Sequence, residues 1–174
     1  MKVRALLGLA LLTLSVPAHA ERLTFDHRLQ PRLKAVLDSG DTSRIDYQAG
    51  NPRYIVDRIA VQGTSAADWT ELLEIIARTP AKGMRSAADW MTELTRAADA
   101  RCAGRVDVLA QDDASITFER HATAICPAEP VRRSLYRVVA GKRSLFLLAV
   151  HEKGALADDA RAQWLAMLAS AHLN

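Results

Sequence analysis

The chain has 174 residues, about half of them hydrophobic, with 23 Lys and Arg against 20 Asp and Glu. Lys2 and Arg4 belong to an N-terminal segment that we expect to be removed, which leaves 21 basic against 20 acidic side chains, a net charge of +1. So small a charge argues against a nucleic-acid partner. The remaining length of about 154 residues suits one domain with its own core.

Residues 1–20 have the layout of a secretory signal peptide. A positive start is followed by an apolar run over Ala5–Val16 and by small residues up to Ala20. We therefore expect cleavage after Ala20 and export to a bacterial periplasm, with an uncleaved membrane anchor as the alternative. No later apolar run is long enough to span a bilayer, so we expect no membrane span after cleavage.

Short elements and loops follow the signal peptide. We expect an extended segment over Leu23–Leu29 and a short helix over Arg32–Asp38, which a Ser-Gly pair ends. Turn-forming residues predict a loop over Gly40–Arg53, and a short strand around Ile45–Tyr47 is compatible with it. The alternating apolar residues of Tyr54–Val61 predict a strand.

The pentapeptide SAADW occurs twice, at Ser65–Trp69 and at Ser86–Trp90. In both copies a serine is followed three residues later by an aspartate, which is the spacing of a helix N-cap. The first copy leads into an apolar stripe at helical spacing, formed by Trp69, Leu72, Leu73 and Ile76. Because the flanking sequences differ, we expect two helices with one kind of cap rather than a duplicated module. We expect both tryptophans in the core, with stacking on a sugar as the alternative.

The second half of the chain reads as two β-hairpins and a helix. Alternating residues predict a first hairpin over Arg105–Ala110 and Ser115–Arg120. Leu135–Ala140 and Leu145–His151 predict a second hairpin, whose last strand is apolar on both faces and therefore central in the sheet. A C-terminal helix is expected to begin near Asp158.

This element order predicts an α+β domain. Its sheet is mainly antiparallel and consists of the two hairpins and the earlier strand, with two central helices and a C-terminal helix packed on it. We expect residues 21–53 to form an N-terminal extension with a short helix, and residues 54–174 to form the core of the same single domain.

The two cysteines, Cys102 and Cys126, lie in the part of the chain that we expect to be exported. An even number of cysteines in an oxidising compartment predicts a disulfide. The bridge closes a loop of about 25 residues and stabilises the fold by roughly 3.5 kcal/mol on the chain-entropy model. A metal site or a reactive thiol is the alternative, although the spacing fits neither a redox pair nor a zinc site.

No catalytic or nucleotide-binding signature occurs in the sequence. Four histidines follow the signal peptide, and none has a second ligand at metal-binding spacing: His27, His121, His151 and His172. In the segment Glu119-Arg120-His121, strand alternation places the acid and the histidine on the face opposite Ile116 and Phe118. We therefore expect Glu119 and His121 to point to solvent.

One local excess of basic residues surrounds the second hairpin, with Tyr136 among them: Arg132, Arg133, Arg137, Lys142 and Arg143. We expect these six residues to form the binding patch if the protein has one, with lipopolysaccharide phosphate or an acidic protein surface as the partner. The alternative is a solvated hairpin end whose charges discourage edge pairing.

A set of features resembles a group of small exported proteobacterial proteins of unknown function. The features are the signal peptide, a strand ending at Gln62-Gly63, a capped helix with Trp69, two cysteines, and Trp164 in the last helix. The shape of this group is similar to the Mog1/PsbP-like α/β/α sandwich. The resemblance covers roughly Tyr54 to Leu173, supports the disulfide and the α+β class, and implies no activity, cofactor or catalytic residue.

We therefore expect a non-enzymatic periplasmic binding module for an envelope protein or an anionic envelope component, with no cofactor and no metal. A periplasmic hydrolase and a carrier of a small apolar ligand are the alternatives. A cleft with His121 or His151 beside a carboxylate or serine would favour the hydrolase. A cavity between the sheet and the helices would favour the carrier. A flat basic face around Arg133, Arg137 and Arg143 would favour the binding module.

Overall fold

The computed structural model describes residues 21–51, 54–78, 86–123, 126 and 130–174. These residues form an α+β fold, as the sequence predicted. Its helices are α1 Pro31–Ser39, α2 Ala87–Asp99 and α3 Asp158–Ala169. Its strands are β1 Leu23–Thr24, β2 Ile45–Asn51, β3 Tyr54–Gly63, β4 Trp69–Arg78, β5 Gly104–Gln111, β6 Ser115–Ala122, β7 Arg133–Ala140, β8 Leu145–Glu152 and β9 His172–Leu173. The expected signal peptide lies outside the described residues, and none of the described helices is long and apolar enough to cross a membrane.

Seven strands form one antiparallel sheet in the order β2-β3-β4-β8-β7-β6-β5. The two predicted hairpins are present as β5–β6 and β7–β8. Strand β8 occupies the middle of the sheet, as its apolar residues on both faces predicted. The remaining two strands, β1 and β9, pair with each other beside this sheet.

Helices cover both faces of the large sheet. Helices α1 and α3 pack on one face, where Leu33 and Trp164 are fully buried among residues of β3, β4, β7 and β8. Helix α2 packs on the other face through Ala87 and Trp90, against Phe118 and its neighbours. The result is a three-layer arrangement, and a side chain on either face of the central strands is removed from water.

The helix predicted after the first SAADW is wrong, because Trp69–Arg78 is strand β4. Leu72 is 3% exposed and Leu73 is fully buried, although consecutive residues of a strand point to opposite faces. Strand β4 lies between β3 and β8 and has a helix layer on each side. A strand buried on both faces carries apolar residues on each of them, and such a sequence also contains the i, i+3, i+4 spacing of a helix.

The two SAADW copies use the same hydroxyl contact in different backbone conformations. In the second copy the predicted capping box is present, because Asp89 N donates to Ser86 Oγ at 3.1 Å and Ser86 N donates to Asp89 Oδ2 at 3.2 Å. In the first copy Asp68 N donates to Ser65 Oγ at 3.1 Å, but the segment is the turn between β3 and β4. Asp68 N also donates to the carbonyl oxygen of Ser65 at 3.1 Å.

We expect Ser86→Ala to lower the free energy of unfolding by about 1 kcal/mol, because the first turn of α2 loses its cap. Ser65→Ala, in an identical pentapeptide, is the matched control, and we expect a smaller loss because Asp68 N keeps a backbone acceptor. Urea denaturation of the two variants gives both values. Equal losses would contradict a specific capping role for Ser86.

Two further predictions need correction near the N-terminus. Strand β2 runs over Ile45–Asn51, where the sequence predicted a loop with at most a short strand. It is an edge strand whose pairing with β3 is irregular between Gln48 and Asn51, and such an irregularity accommodates turn-forming residues in a strand. Within the segment expected to be extended, only Leu23–Thr24 is a strand, and His27–Leu29 forms a 3-10 turn.

The prediction that Glu119 points to solvent is wrong, because α3 covers its face of the sheet. Glu119 is 3% exposed and receives two hydrogen bonds at its Oε2 from Arg161 of α3, from Nε at 3.1 Å and from Nη2 at 2.6 Å. Arg133 Nε lies 3.2 Å and His121 Nε2 lies 3.4 Å from Glu119 Oε1. His121 itself is partly buried beside this carboxylate. The acid therefore joins β6, β7 and α3.

Burial raises the pKa of Glu119, but the hydrogen bonds and charge of Arg161, with His121 and Arg133, outweigh it and hold the pKa below its ordinary value of 4.5. A carboxylate with a lowered folded-state pKa stabilises the fold above its unfolded-state pKa, and this stabilisation is lost as the pH falls. We expect Glu119→Gln to cost about 2 kcal/mol at pH 7. Below about pH 4.5 the difference between wild type and variant should shrink, which chemical denaturation at pH 7, 5 and 3 measures. A constant difference across this range would contradict the expectation.

The structure contains the predicted disulfide between Cys102 and Cys126, so neither cysteine is free. Among the described residues, no group of three or more His, Cys, Asp or Glu side chains is arranged to hold a metal ion. Cys102 follows α2 and is buried, which places the bridge at the end of the helix that covers one face of the sheet.

Candidate ligand-binding cleft

A cleft of about 460 Å³ lies between α2 and the face of the sheet on which α2 packs. One wall is helical, and the floor consists of side chains from β3, β4, β7 and β8 that share one face of the sheet. Its lining residues are Arg58, Ala66, Trp69, Leu72, Glu74, Leu94, Ala97, Ala98, Arg101, Val131, Tyr136, Leu147 and His151. A mixture of apolar walls and a few polar groups is typical of small-molecule sites.

The helical wall is held at both of its ends. Ala87 and Trp90 are buried in the core near the start of α2. Near its end, Arg120 of β6 donates to Asp99 Oδ1 from Nη2 at 2.8 Å and from Nε at 3.2 Å, and also to the carbonyl oxygen of Cys102. Between these anchors the helix lines the cleft with Leu94, Ala97 and Ala98.

Aromatic rings form one side of the cleft. Tyr136 stacks on Phe118 with ring centroids 4.6 Å apart, and its ring meets His151 edge-on at 5.8 Å. Trp69 lies 6.4 Å from His151, and Lys153 Nζ sits 4.0 Å above the centre of the Trp69 ring. Trp69 is partly exposed at the cleft rather than in the core, so the core role predicted for it is wrong, whereas the same prediction for Trp90 is confirmed.

A chain of polar contacts crosses the floor. His151 Nδ1 lies 2.9 Å from Ser134 Oγ, and His151 Nε2 lies 3.7 Å from Glu74 Oε2. Arg58 Nε donates to Glu74 Oε1 at 2.8 Å. Burial raises the pKa of Glu74, but the hydrogen bonds and charges of His151 and Arg58 outweigh it and lower the pKa below the ordinary value. Glu74 is therefore an ionised carboxylate at neutral pH.

Sheet register explains why these residues meet. His151 lies directly opposite Ser134 on one neighbouring strand and opposite Leu72 on the other, so that Glu74 is its diagonal neighbour on the same face. Sequence reasoning missed Arg58, Glu74 and Ser134 as site residues because their partners lie on other strands. Contacts between residues on different strands depend on the order of the strands in the sheet, so the spacing of residues within one segment does not predict them.

The six residues of the expected binding patch are not brought together on one face. Tyr136 lies in the cleft, on the face covered by α2. Arg133 contacts Glu119 on the opposite face, where Arg137 is half-buried and donates to Thr117 Oγ1 at 2.9 Å and to the carbonyl oxygen of Ala171 at 3.3 Å. Burial lowers the pKa of Arg137.

The remaining patch residues occupy the two ends of β7. Arg132 is exposed just before the strand. Lys142 and Arg143 lie in the turn after it, roughly 25 Å away for a strand of this length. Their backbone N–H groups donate to the carboxylate of Glu21 at 2.6 and 3.0 Å. A single flat basic face is therefore not formed by these side chains.

No protein-family model matches the chain, and the search of curated proteins found no match either. The fold is similar to the solution structure of cyanobacterial PsbP (CyanoP) from Synechocystis sp. PCC 6803, with a TM-score of 0.44 and 10% sequence identity. The similarity covers 76% of this chain and 94% of that chain. The similarity concerns the fold alone.

Proposed function

We propose that this chain is an exported, non-enzymatic binding module that holds a small envelope component in the cleft between α2 and the sheet. The observation that carries the proposal is the cleft itself, whose volume of about 460 Å³ lies within the usual range of roughly 300–1,000 Å³ for ligand sites. Aromatic rings, aliphatic walls and a small number of polar groups line it, which is the chemistry that buries a small molecule and fixes its orientation.

Export is supported by the signal-peptide pattern and by the disulfide, because such bridges persist in oxidising compartments. We expect the protein purified from its native envelope to begin at Glu21. Its intact mass without reduction should be two hydrogens below that of the reduced form. Mass spectrometry measures both quantities in one experiment. A chain that retains residues 1–20 would contradict cleavage, and free thiols at Cys102 and Cys126 would contradict the bridge in the native compartment.

Binding in the cleft is tested by titrating the protein with 2-naphthoate and 2-naphthamide, two probes whose ring system fits a site of this size. Backbone ¹H–¹⁵N NMR shifts should change most at the lining residues. Ala97→Phe fills the cleft and should abolish these changes, whereas Ala100→Phe, just beyond α2 and outside the cleft, should not. Unchanged cleft resonances with both probes would overturn the proposal.

One contact favours a second candidate function, a hydrolase. Ser134, His151 and Glu74 form a serine–histidine–acid set of the kind that activates a nucleophile. However, Ser134 is 4% exposed and does not line the cleft, so its hydroxyl is not presented to a bound molecule. Both ring nitrogens of His151 face side chains of the protein, which suits a positioning role. If the protein hydrolyses p-nitrophenyl acetate and Ser134→Ala abolishes this activity, the hydrolase becomes the favoured function.

A further inference from the structure

Strand β5 forms an open edge of the seven-stranded sheet. Among the described residues, only β6 pairs with it. The side chains of Val108 and Leu109 on this strand are 51% and 40% exposed. An exposed edge with apolar side chains is a template for pairing with a further strand. Over Gly104–Val108 the register with β6 is regular, and the irregularity of β5 follows at Leu109, so this part of the edge has the geometry that strand pairing requires.

The outward backbone groups of this edge follow from the hydrogen bonds on its other side. Thr123 N donates to the carbonyl oxygen of Ala103 at 3.0 Å, so Ala103 directs its carbonyl group towards β6. In an antiparallel pair, successive residues of a strand direct their N–H and C=O groups alternately towards and away from the partner. Gly104, Val106 and Val108 therefore direct these groups away from β6, where an added strand can bind them.

Two charged residues determine which strand fits this edge. Arg105 and Asp107 lie on the same face of β5, with Arg105 Nη2 2.8 Å from Asp107 Oδ2, and their side chains are 69% and 41% exposed. Asp107 Oδ2 also lies 3.9 Å from His121 Nε2 of β6. When two β5 strands pair antiparallel about Val106, Arg105 of each copy lies directly opposite Asp107 of the other.

Other registers of the same pair bring like charges together. A shift by two residues in one direction places the two copies of Arg105 opposite each other, and a shift in the other direction does the same for Asp107. Opposite charges in facing positions stabilise a pair of strands, and like charges in these positions destabilise it. The charges of β5 therefore favour a second copy of β5 in the one register that is centred on Val106.

We propose that β5 is a dimerisation strand that pairs antiparallel with β5 of a second copy of this chain, in the register centred on Val106. The pairing joins the two seven-stranded sheets into one continuous sheet. Gly104 of each copy then faces Val108 of the other, so the exposed valine lies beside a residue without a side chain. Such an interface is isologous, because the same surface of each copy contacts the other, and it closes as a dimer.

Sedimentation equilibrium of the disulfide-bonded protein over a range of concentrations tests the proposal. We expect a monomer–dimer equilibrium. Asp107→Arg replaces both facing pairs of opposite charge by pairs of like charge and should raise the dissociation constant of the dimer at least tenfold. Asp46→Arg is the matched control, because Asp46 lies on β2 at the other edge of the sheet and its side chain is also 41% exposed. It should leave the dissociation constant unchanged.

A second variant separates loss of the interface from loss of folding. Arg105→Asp alone should weaken the dimer as Asp107→Arg does, because it places acidic side chains opposite each other. An equimolar mixture of the two variants should form a heterodimer, since every facing pair in it again contains one acid and one base. In the wild-type protein, the amide protons of Val106 and Val108 should exchange with solvent more slowly as the protein concentration is raised.

Three results would overturn the proposal. A protein that is monomeric at every concentration would leave this edge to a strand of a different protein. A dimer that Asp107→Arg does not weaken would have its interface elsewhere in the molecule. Failure of the two mixed variants to associate, with circular dichroism showing that both are folded, would exclude the register centred on Val106. These measurements do not involve the cleft, so the proposed function is tested separately.

Discussion

The double variant Cys102→Ser, Cys126→Ser is expected to lose about 3.5 kcal/mol of unfolding free energy, because the bridge closes a loop across 24 positions and restricts the unfolded chain. The bridge also holds the end of α2, the helix that forms one wall of the cleft. We therefore expect the variant to bind 2-naphthoate more weakly than the wild type even under conditions where both are folded.

Urea denaturation measures the loss of stability, and a titration at low denaturant measures the loss of affinity. Reduction of the wild-type protein by dithiothreitol is the internal control, because it breaks the same bond without changing a residue. The reduced wild type and the double variant should behave alike. A reduced protein with the denaturation midpoint of the oxidised form would show that the bridge does not contribute to stability.

Glu71→Ala is expected to destabilise the fold by about 3 kcal/mol, because it removes the acceptor of the buried Trp164 indole N–H and breaks a partly exposed ion pair with Arg32. Glu71 is fully buried on the face that α3 covers. Trp164 Nε1 donates to its Oε1, and Arg32 Nη1 donates to its Oε2 at 2.7 Å. One carboxylate therefore connects β4 to both helices of this layer. Its removal leaves the indole N–H buried without this hydrogen-bond acceptor.

Chemical denaturation of Glu71→Ala gives the value directly. Asp38→Ala is the control, because Asp38 forms an exposed ion pair with Lys34, and such pairs contribute about 0–1 kcal/mol. Adding Trp164→Phe to Glu71→Ala should cost less than Trp164→Phe alone, since the indole has already lost its acceptor. Additive losses would show that the two side chains act independently.

The two SAADW segments show how far local sequence reasoning reaches in this chain. At Ser86 the predicted cap and helix are both present, and the helix has one face in the core and one in water. At Ser65 the hydroxyl contact is present, but the following residues form a strand. The difference arises from the neighbours β3 and β8, which pair with Trp69–Arg78 along most of its length. The spacing of apolar residues indicates which side chains are buried. It does not distinguish the apolar face of a helix from a strand that is buried on both faces.

The position of Glu119 was missed for a related reason. Alternation placed it correctly on the face opposite Phe118, and the error lay in assuming that this face meets water. Helix α3 follows β8 in the chain and packs back over that face, so Arg161 becomes the partner of a residue 42 positions away. The sequence identified the helix and the strand, but only the layer order shows that they touch.

The cleft depends on the same long-range information. Its polar floor unites Arg58, Glu74, Ser134 and His151, which come from four strands. Arg58 and His151 lie on strands that the sequence predicted, and Ser134 directly precedes another predicted strand. Glu74 lies on β4, which was predicted as a helix. These four side chains meet because β4 pairs with β8. The sequence analysis predicted a helix in place of β4 and therefore did not predict this pairing. Among the predicted patch residues, only Tyr136 belongs to the cleft.

The pairing of β1 with β9 brings together two segments from opposite parts of the sequence. Arg22 and Asn174 exchange backbone hydrogen bonds at 3.3 and 3.0 Å, and Asn174 Nδ2 donates to Thr24 Oγ1 across 150 positions of sequence. Closing so long a loop costs conformational entropy. The pair forms few hydrogen bonds to offset this cost, because each strand has only two residues. We infer that the seven-stranded sheet forms first and that β1 and β9 pair with each other afterwards. In the native protein we therefore expect the β1–β9 pair to open more readily than the seven-stranded sheet.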